Sequence, residues 1–235
     1  MSTHQLSAAD WVARSTVSNA VFARWPDYRV VLLATDHVDQ AALADAATRL
    51  FDEAHVQARS AGDEVLPHVA RWHDAYRAFG VKPRVGRPSV DALLRRASGE
   101  QGLPRINTLV DLYNAISMQC VVPIGGEDLD RYEGPARLVL AAGDEPFHTS
   151  ANGEPVVDHP EPGEPVWVDD AGVTCRRWNW RQTSRTAISD ATVRAAFIID
   201  SLDAPEHLDA ERAAAHLLEL IPQLHVRTLS GTSAC

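Results

Sequence analysis

What most constrains the fold of this chain is a change of local pattern near Ala136. Before it, apolar residues recur at helical spacing. "QAALADAATRLFDEAHVQARS" (40–60) reads as an amphipathic helix rich in Ala and Leu. "LPHVARWHDAYRAFG" (66–80) reads as another, ended by Gly80. Ser89 suits the N-cap of a helix over "VDALLRRASGE". "INTLVDLYNAISMQC" (106–120) places Leu109, Tyr113, Ile116 and Cys120 on one buried face. From Ala136 the chain turns to short apolar runs separated by Gly/Pro turns, "ARLVLAAGDEPFHTSANGEPVVDHPEPGEPVWVDDAGVTCRRWNW", the signature of several strands. A short helix, a break at Pro26 and a buried strand over Tyr28–Ala34 come first, and a strand at 194–202 and a helix at 211–224 close the chain. Helices gather early and strands late, so the expected class is α+β, with helices packed on a mixed or antiparallel β region, and not a regular βαβ alternation.

A chain of 235 residues with 45% hydrophobic residues can bury a core without disulfide support. Cys120, Cys175 and Cys235 are widely spaced, with no C-x-x-C pair to suggest a zinc site or a disulfide framework. The start "MSTHQLSAADW" has neither a basic segment nor an apolar run, and no stretch approaches the roughly 18 apolar residues of a membrane span. A cytoplasmic protein with no membrane partner is expected. The net charge of −10 argues against broad nucleic-acid binding, so DNA is not an expected partner. It leaves room for one nucleic-acid end on a local basic patch. Among the histidines, His68 and His73 stand five apart, off a shared helix face, and no Cys/His cluster occurs. Neither a metal nor a cofactor is expected.

The motifs that organise catalysis in many hydrolases and nucleotide enzymes are missing: there is no G-x-S-x-G and no G-x-x-x-x-G-K-[ST]. Two other stretches stand out. "PIGGED" (123–128) is either a tight turn between the 106–120 helix and the strands, or a place where Gly125 and Gly126 let a ligand approach the backbone. "CRRWNWRQ" (175–182) holds two of the six tryptophans. As a strand it would set Arg177, Asn179 and Arg181 on one face and Arg176, Trp178 and Trp180 on the other. Such a strand either packs its tryptophans into the core while its arginines pair with local acids, or offers guanidinium and indole groups to a phosphate and an unpaired base.

The segment 106–130 resembles a signature of the editing domain of the bacterial phenylalanyl-tRNA synthetase beta chain. In that family an N-x-V-D-x-T-N-Y helix runs into a G-Q-P-x-H-A-F-D loop. Asn107, Val110, Asp111 and Asn114 match the helix, and Pro123 with Asp128 or Asp130 matches the loop. "LVLAAGDEPFHTSANGEPV" and "TAISDATVRAAFIID" (186–200) are similar to the family's following strands and its close. The likeness covers roughly 65–205, flanked by a strand–helix unit (15–64) and a closing helix (206–230), and a single editing-like domain over 1–235 is expected.

The resemblance implies an enzyme that cleaves the aminoacyl ester at the 3′ end of tRNA, here acting in trans. It places Gly125 and Gly126 as a source of backbone donors, and Glu127 or Asp128 as the group that orients water or binds the α-ammonium. It places Asn107, Asn114 and the stretch Arg176, Arg177, Trp178, Asn179, Trp180, Arg181 and Gln182 on the substrate. Gln182 falls near the family's Glu that reads the tyrosine hydroxyl; tryptophans replace a Gly-rich segment, so tyrosine specificity is not carried over. A basic groove of Arg176, Arg177, Arg181 and Arg185, extended by Arg84, Arg87 and Arg105, is expected. Two other readings stand beside this one: a non-catalytic module that binds a tRNA end or an amino acid, and a hydrolase of small esters or amides. The oligomeric state is left open, with a slight preference for a monomer.

Overall fold

The computed structural model describes residues 5–60, 66–82, 85–151, 153–202 and 207–231. In chain order the elements are α1 (Ala8–Arg14), β1 (Thr16–Val17), α2 (Asn19–Arg24), β2 (Arg29–Thr35), α3 (Gln40–Ser60), α4 (Pro67–Ala78), α5 (Ser89–Ser98), α6 (Thr108–Cys120), β3 (Ile124–Asp128), a 3-10 turn (Leu129–Arg131), β4 (Arg137–Leu140), β5 (Phe147–Ala151), β6 (Glu154–Asp158), β7 (Pro165–Asp169), β8 (Gly172–Arg176), β9 (Arg181–Gln182), β10 (Ala195–Ser201), α7 (Asp209–Leu220) and β11 (His225–Ser230). The class is α+β, as the sequence pattern requires.

Local chemistry sets several boundaries. Ser7 caps α1 by accepting from the Asp10 amide, and Asn107 caps α6 by accepting from Val110 N at 3.0 Å. Proline opens α4 at a position where its missing N–H costs nothing. Ser89 is the first helical residue of α5 and Pro88 takes the cap position, one residue from the expected boundary. The expectation of a glycine turn after α6 is overturned. Val121 itself adopts the left-handed conformation (φ 56°) that ends the helix, and Gly125 and Gly126 lie inside β3.

A four-stranded sheet in the order β11-β2-β10-β3 faces a five-stranded sheet in the order β1-β4-β7-β8-β9, with β5–β6 as a separate hairpin. Alternation along β2 and β10 divides the buried residues between two cores. Val31, Leu33, Phe197 and Ile199 point to a core shared with α6 and α7. Val30, Leu32, Ala196 and Ile198 point the other way, to Leu138, Trp167 and Trp178 of the second sheet and to Trp11, Trp72 and Tyr76 of the helices that cover it. The order of layers is helices, sheet, sheet. Strand β3 is the sheet's edge, so its end of the inter-sheet space is closed by other elements: α5, α6 and the connection between β8 and β9.

Candidate functional site

A cavity of about 240 Å³ opens at that edge. Its walls are Ala92, Leu93 and Arg96 of α5, Tyr113 and Asn114 of α6, Gly125 and Glu127 of β3, Ile198 and Asp200 of β10, and the chain from Trp178 to Gln182. Trp167 and Cys175 also line it. Glu127 lies opposite Ala196 in the ladder and Gly125 opposite Ile198, so both face the inter-sheet side.

The stretch 175–182 is not the continuous strand that its alternation suggests. It is a hairpin: Cys175 pairs with Gln182, Arg176 with Arg181, and 177–180 form the loop. Arg177 (φ 47°) and Trp178 (φ 69°) adopt left-handed conformations that disfavour side chains with a Cβ. The surroundings hold them there. Glu164 accepts from Arg177 N at 2.9 Å, and Pro165 O accepts from Trp178 N at 2.7 Å. Trp178 is fully buried and makes edge contacts with Trp25, Tyr28 and Trp72 at centroid distances of 4.7–5.2 Å. Asn179 O accepts from Ser89 N at 3.0 Å, fixing the start of α5 against the loop. The paired tryptophans thus have different jobs: Trp178 anchors the loop, and Trp180 carries Arg177 on its ring at 4.0 Å.

Glu127 is buried and receives a hydrogen bond from Gln182 Nε2 at 2.6 Å; the same nitrogen also donates to Gly126 O. Burial is the main reason its pKa rises to about 8, with Thr186 and Gln182 acting in the opposite direction. Asp200 accepts from the Tyr28 hydroxyl at 2.6 Å, and burial raises its pKa to about 7. The unfolded chain releases the Glu127 proton near the ordinary value of ~4.3. Between that pH and about 8 the folded state therefore binds more protons than the unfolded one, and stability falls as pH rises. The stabilisation from a neutral Glu127 is complete below the lower limit and gone above the upper one. Denaturation of wild type and Glu127→Gln across pH 4–9 should show this slope in the wild type and a shallower one in the variant. Parallel curves would mean that Glu127 is solvated.

The two glycines of β3 differ. A Cβ at Gly126 would come within 2.6 Å of Tyr113 and 2.7 Å of Ile188, whereas at Gly125 it would meet nothing within 4 Å. Gly126→Ala should therefore cost about 1–3 kcal/mol through overpacking. Gly125→Ala should leave the melting temperature nearly unchanged and weaken ligand binding by narrowing the cavity. Equal melting temperatures for the two variants would contradict this division.

Of the residues singled out by sequence, Asn114, Gly125, Glu127, Trp178, Asn179, Trp180, Arg181 and Gln182 line the cavity. Five others lie elsewhere. Asn107 caps α6 and donates to Ile188 O. Gly126 packs under Tyr113. Asp128 accepts from Asp130 N at 2.9 Å and from the Thr192 hydroxyl at 2.7 Å, which holds the chain leaving β3. Arg176 is buried against Glu164, and Arg177 stacks on Trp180 and donates to Val85 O. The expected basic groove is also corrected: Arg185 pairs with Asp169, Arg87 with Asp91, and Arg105 with Asp52, so these guanidiniums neutralise local acids. Arg84 lies outside the described residues. At the cavity, Arg96 and Arg181 are exposed and make no ion pair among the described residues. Asp200 was not legible as a site residue, because nothing in "AAFIIDS" shows that its register turns the acid inward.

Fold and cavity together define an α+β architecture with a carboxyl-lined cavity at a sheet edge. The B3/4 domain, found in the phenylalanyl-tRNA synthetase beta chain, matches residues 71–217, more than half of the sequence, and the chain belongs to that family. Among solved structures it is similar to an N-terminal fragment of the phenylalanyl-tRNA synthetase beta-subunit from Pyrococcus horikoshii, at 12% identity and a TM-score of 0.43. That match covers 91% of this chain and 49% of the fragment, so the chain spans about half the fragment's length. No curated protein matches the sequence. Among the described residues no helix is long and apolar enough to cross a membrane.

Proposed function

We propose that the protein receives the aminoacylated 3′ end of a tRNA and hydrolyses the ester in trans. Membership of the B3/4 family, whose synthetase member is linked to tRNA editing or binding, supports this reading. The observation that carries it is a cavity with a buried carboxyl inside and, at its lining, two arginines without an ion pair among the described residues. An aminoacyl ester is already activated, so catalysis requires positioning of the ester and a water and stabilisation of the oxyanion, with no side-chain nucleophile. In this reading Glu127 binds the α-ammonium or orients the water. Asn114 and Arg181 supply donors to the developing oxyanion, and Arg96 and Arg181 meet the terminal phosphates. The backbone of the glycine pair belongs to the edge strand, with Gly126 O already bonded to Gln182.

A second reading, binding of an amino acid or tRNA end without turnover, is favoured by the pairing of most nearby arginines with acids. Deacylation of a panel of aminoacyl-tRNAs by the purified protein separates the two. Release of one or a few amino acids above the spontaneous rate supports the hydrolase. A flat panel with retained binding of the acylated end supports the binding module.

A further inference from the structure

The buried acids of this protein fall into two groups. Asp91, Asp111, Asp128, Glu164 and Asp169 each have an arginine within 4.0 Å. Glu127 and Asp200, equally buried, have no ion pair among the described residues, and both line the cavity. A chain that supplies a guanidinium to every other buried carboxylate leaves these two without one, so each favours its neutral form until a cation enters beside it, because an unpaired buried charge is costly.

The surroundings of Asp200 point the same way. Asn179 is 7% exposed and lines the cavity beside Asp200, toward which its amide group donates. The Tyr28 hydroxyl donates to the same carboxyl at 2.6 Å. Neutral donors thus hold Asp200 at the cavity, and its remaining lone pairs are open to a group with several donors, as an ammonium has. Glu127 stands opposite Ala196, and Asp200 is four residues further along β10 on the same face. At ~3.3 Å per residue the two positions are about 13 Å apart. Two carboxyls set apart along one face of the sheet suit an amino acid with an amine at each end of a three- or four-carbon stem.

We infer that the cavity selects an amino acid with a cationic side chain, whose α-ammonium meets Glu127 and whose side-chain amine meets Asp200, which Asn179 positions. This deepens the proposed function and rests on it for the role of Glu127. The first test is calorimetry on the full chain with free lysine, ornithine, norleucine and glutamine, without tRNA. Lysine or ornithine should bind at least tenfold more tightly than norleucine, which lacks the terminal amine, and Asp200→Asn should erase that preference. Asn179→Leu, read against its own melting curve, should reduce it and serves if Asp200→Asn fails to fold. Norleucine binding as well as lysine would overturn the inference, as would tighter binding of glutamine or an unchanged preference in both variants. Binding of the diamino acids with no aminoacyl-tRNA hydrolysed would sink the hydrolase and leave this inference standing. Hydrolysis indifferent to side-chain charge would do the reverse.

Discussion

Replacing Arg176 by Ala should lower folding stability by about 3–5 kcal/mol, the range observed when one partner of a buried ion pair is removed. The guanidinium meets Glu164 through two nitrogens at 3.0 and 2.8 Å, and the side chains of both residues are almost wholly buried. Without Arg176, Glu164 becomes a buried charge without its main partner. Glu164 also accepts from Arg177 N, and that bond helps to hold the left-handed loop residues in place. The loss should therefore reach the cavity as well as the melting temperature. Arg176→Met with Glu164→Gln, which removes both charges and keeps a hydrogen-bond acceptor for Arg177, should recover much of the stability. Chemical denaturation of the three proteins decides it. A single-substitution loss below about 1 kcal/mol, as for an exposed pair, would contradict the placement of Arg176 in the interior.

Glu127→Gln should lower kcat/KM for aminoacyl-tRNA deacylation by roughly 100-fold, within the 2–5 kcal/mol that loss of one buried partner of a charged hydrogen bond costs. The substitution keeps the shape of the side chain and removes its ability to ionise. The folded protein should tolerate it, since burial already disfavours the ionised acid. The distribution of the loss carries the assignment. A rise in KM alone would make Glu127 a binding group for the ammonium, whereas a fall in kcat alone would place it on the attacking water. Deacylation equal to wild type would remove Glu127 from the site, and the cavity would then lose its principal claim to the chemistry.

Much of the architecture was legible because the periodicity that specifies an element is local. The 40–60 helix and the buried face of α6 through Leu109, Tyr113, Ile116 and Cys120 follow from spacing alone. Elements that depend on partners did not show themselves. The two-residue strand β1 exists by pairing with β4, and β11 by pairing with β2 after α7 has ended. For the site, composition identified the 175–182 stretch and the 123–128 stretch as unusual, and both contribute residues to one cavity. It misread their geometry, because an alternating pattern of Arg and Trp describes a strand and a folded loop equally well until the neighbours of each side chain are known.

By itself, the sequence determined the class of fold, the placing of the longer helices and buried strands, and which short stretches carry an uncommon concentration of chemistry. Propensity, capping and hydrophobic period act over a few residues and are written in the chain. Only the tertiary structure decided that Arg176 is a buried structural cation and that Trp178 is the anchor of a loop. It also decided that Gly125 opens a cavity while Gly126 fits under a tyrosine, and that Asp200 faces inward beside Asn179. Burial and counter-charge are properties of neighbours brought together from distant parts of the chain, and they separate a carboxylate that holds the fold from one left for a ligand.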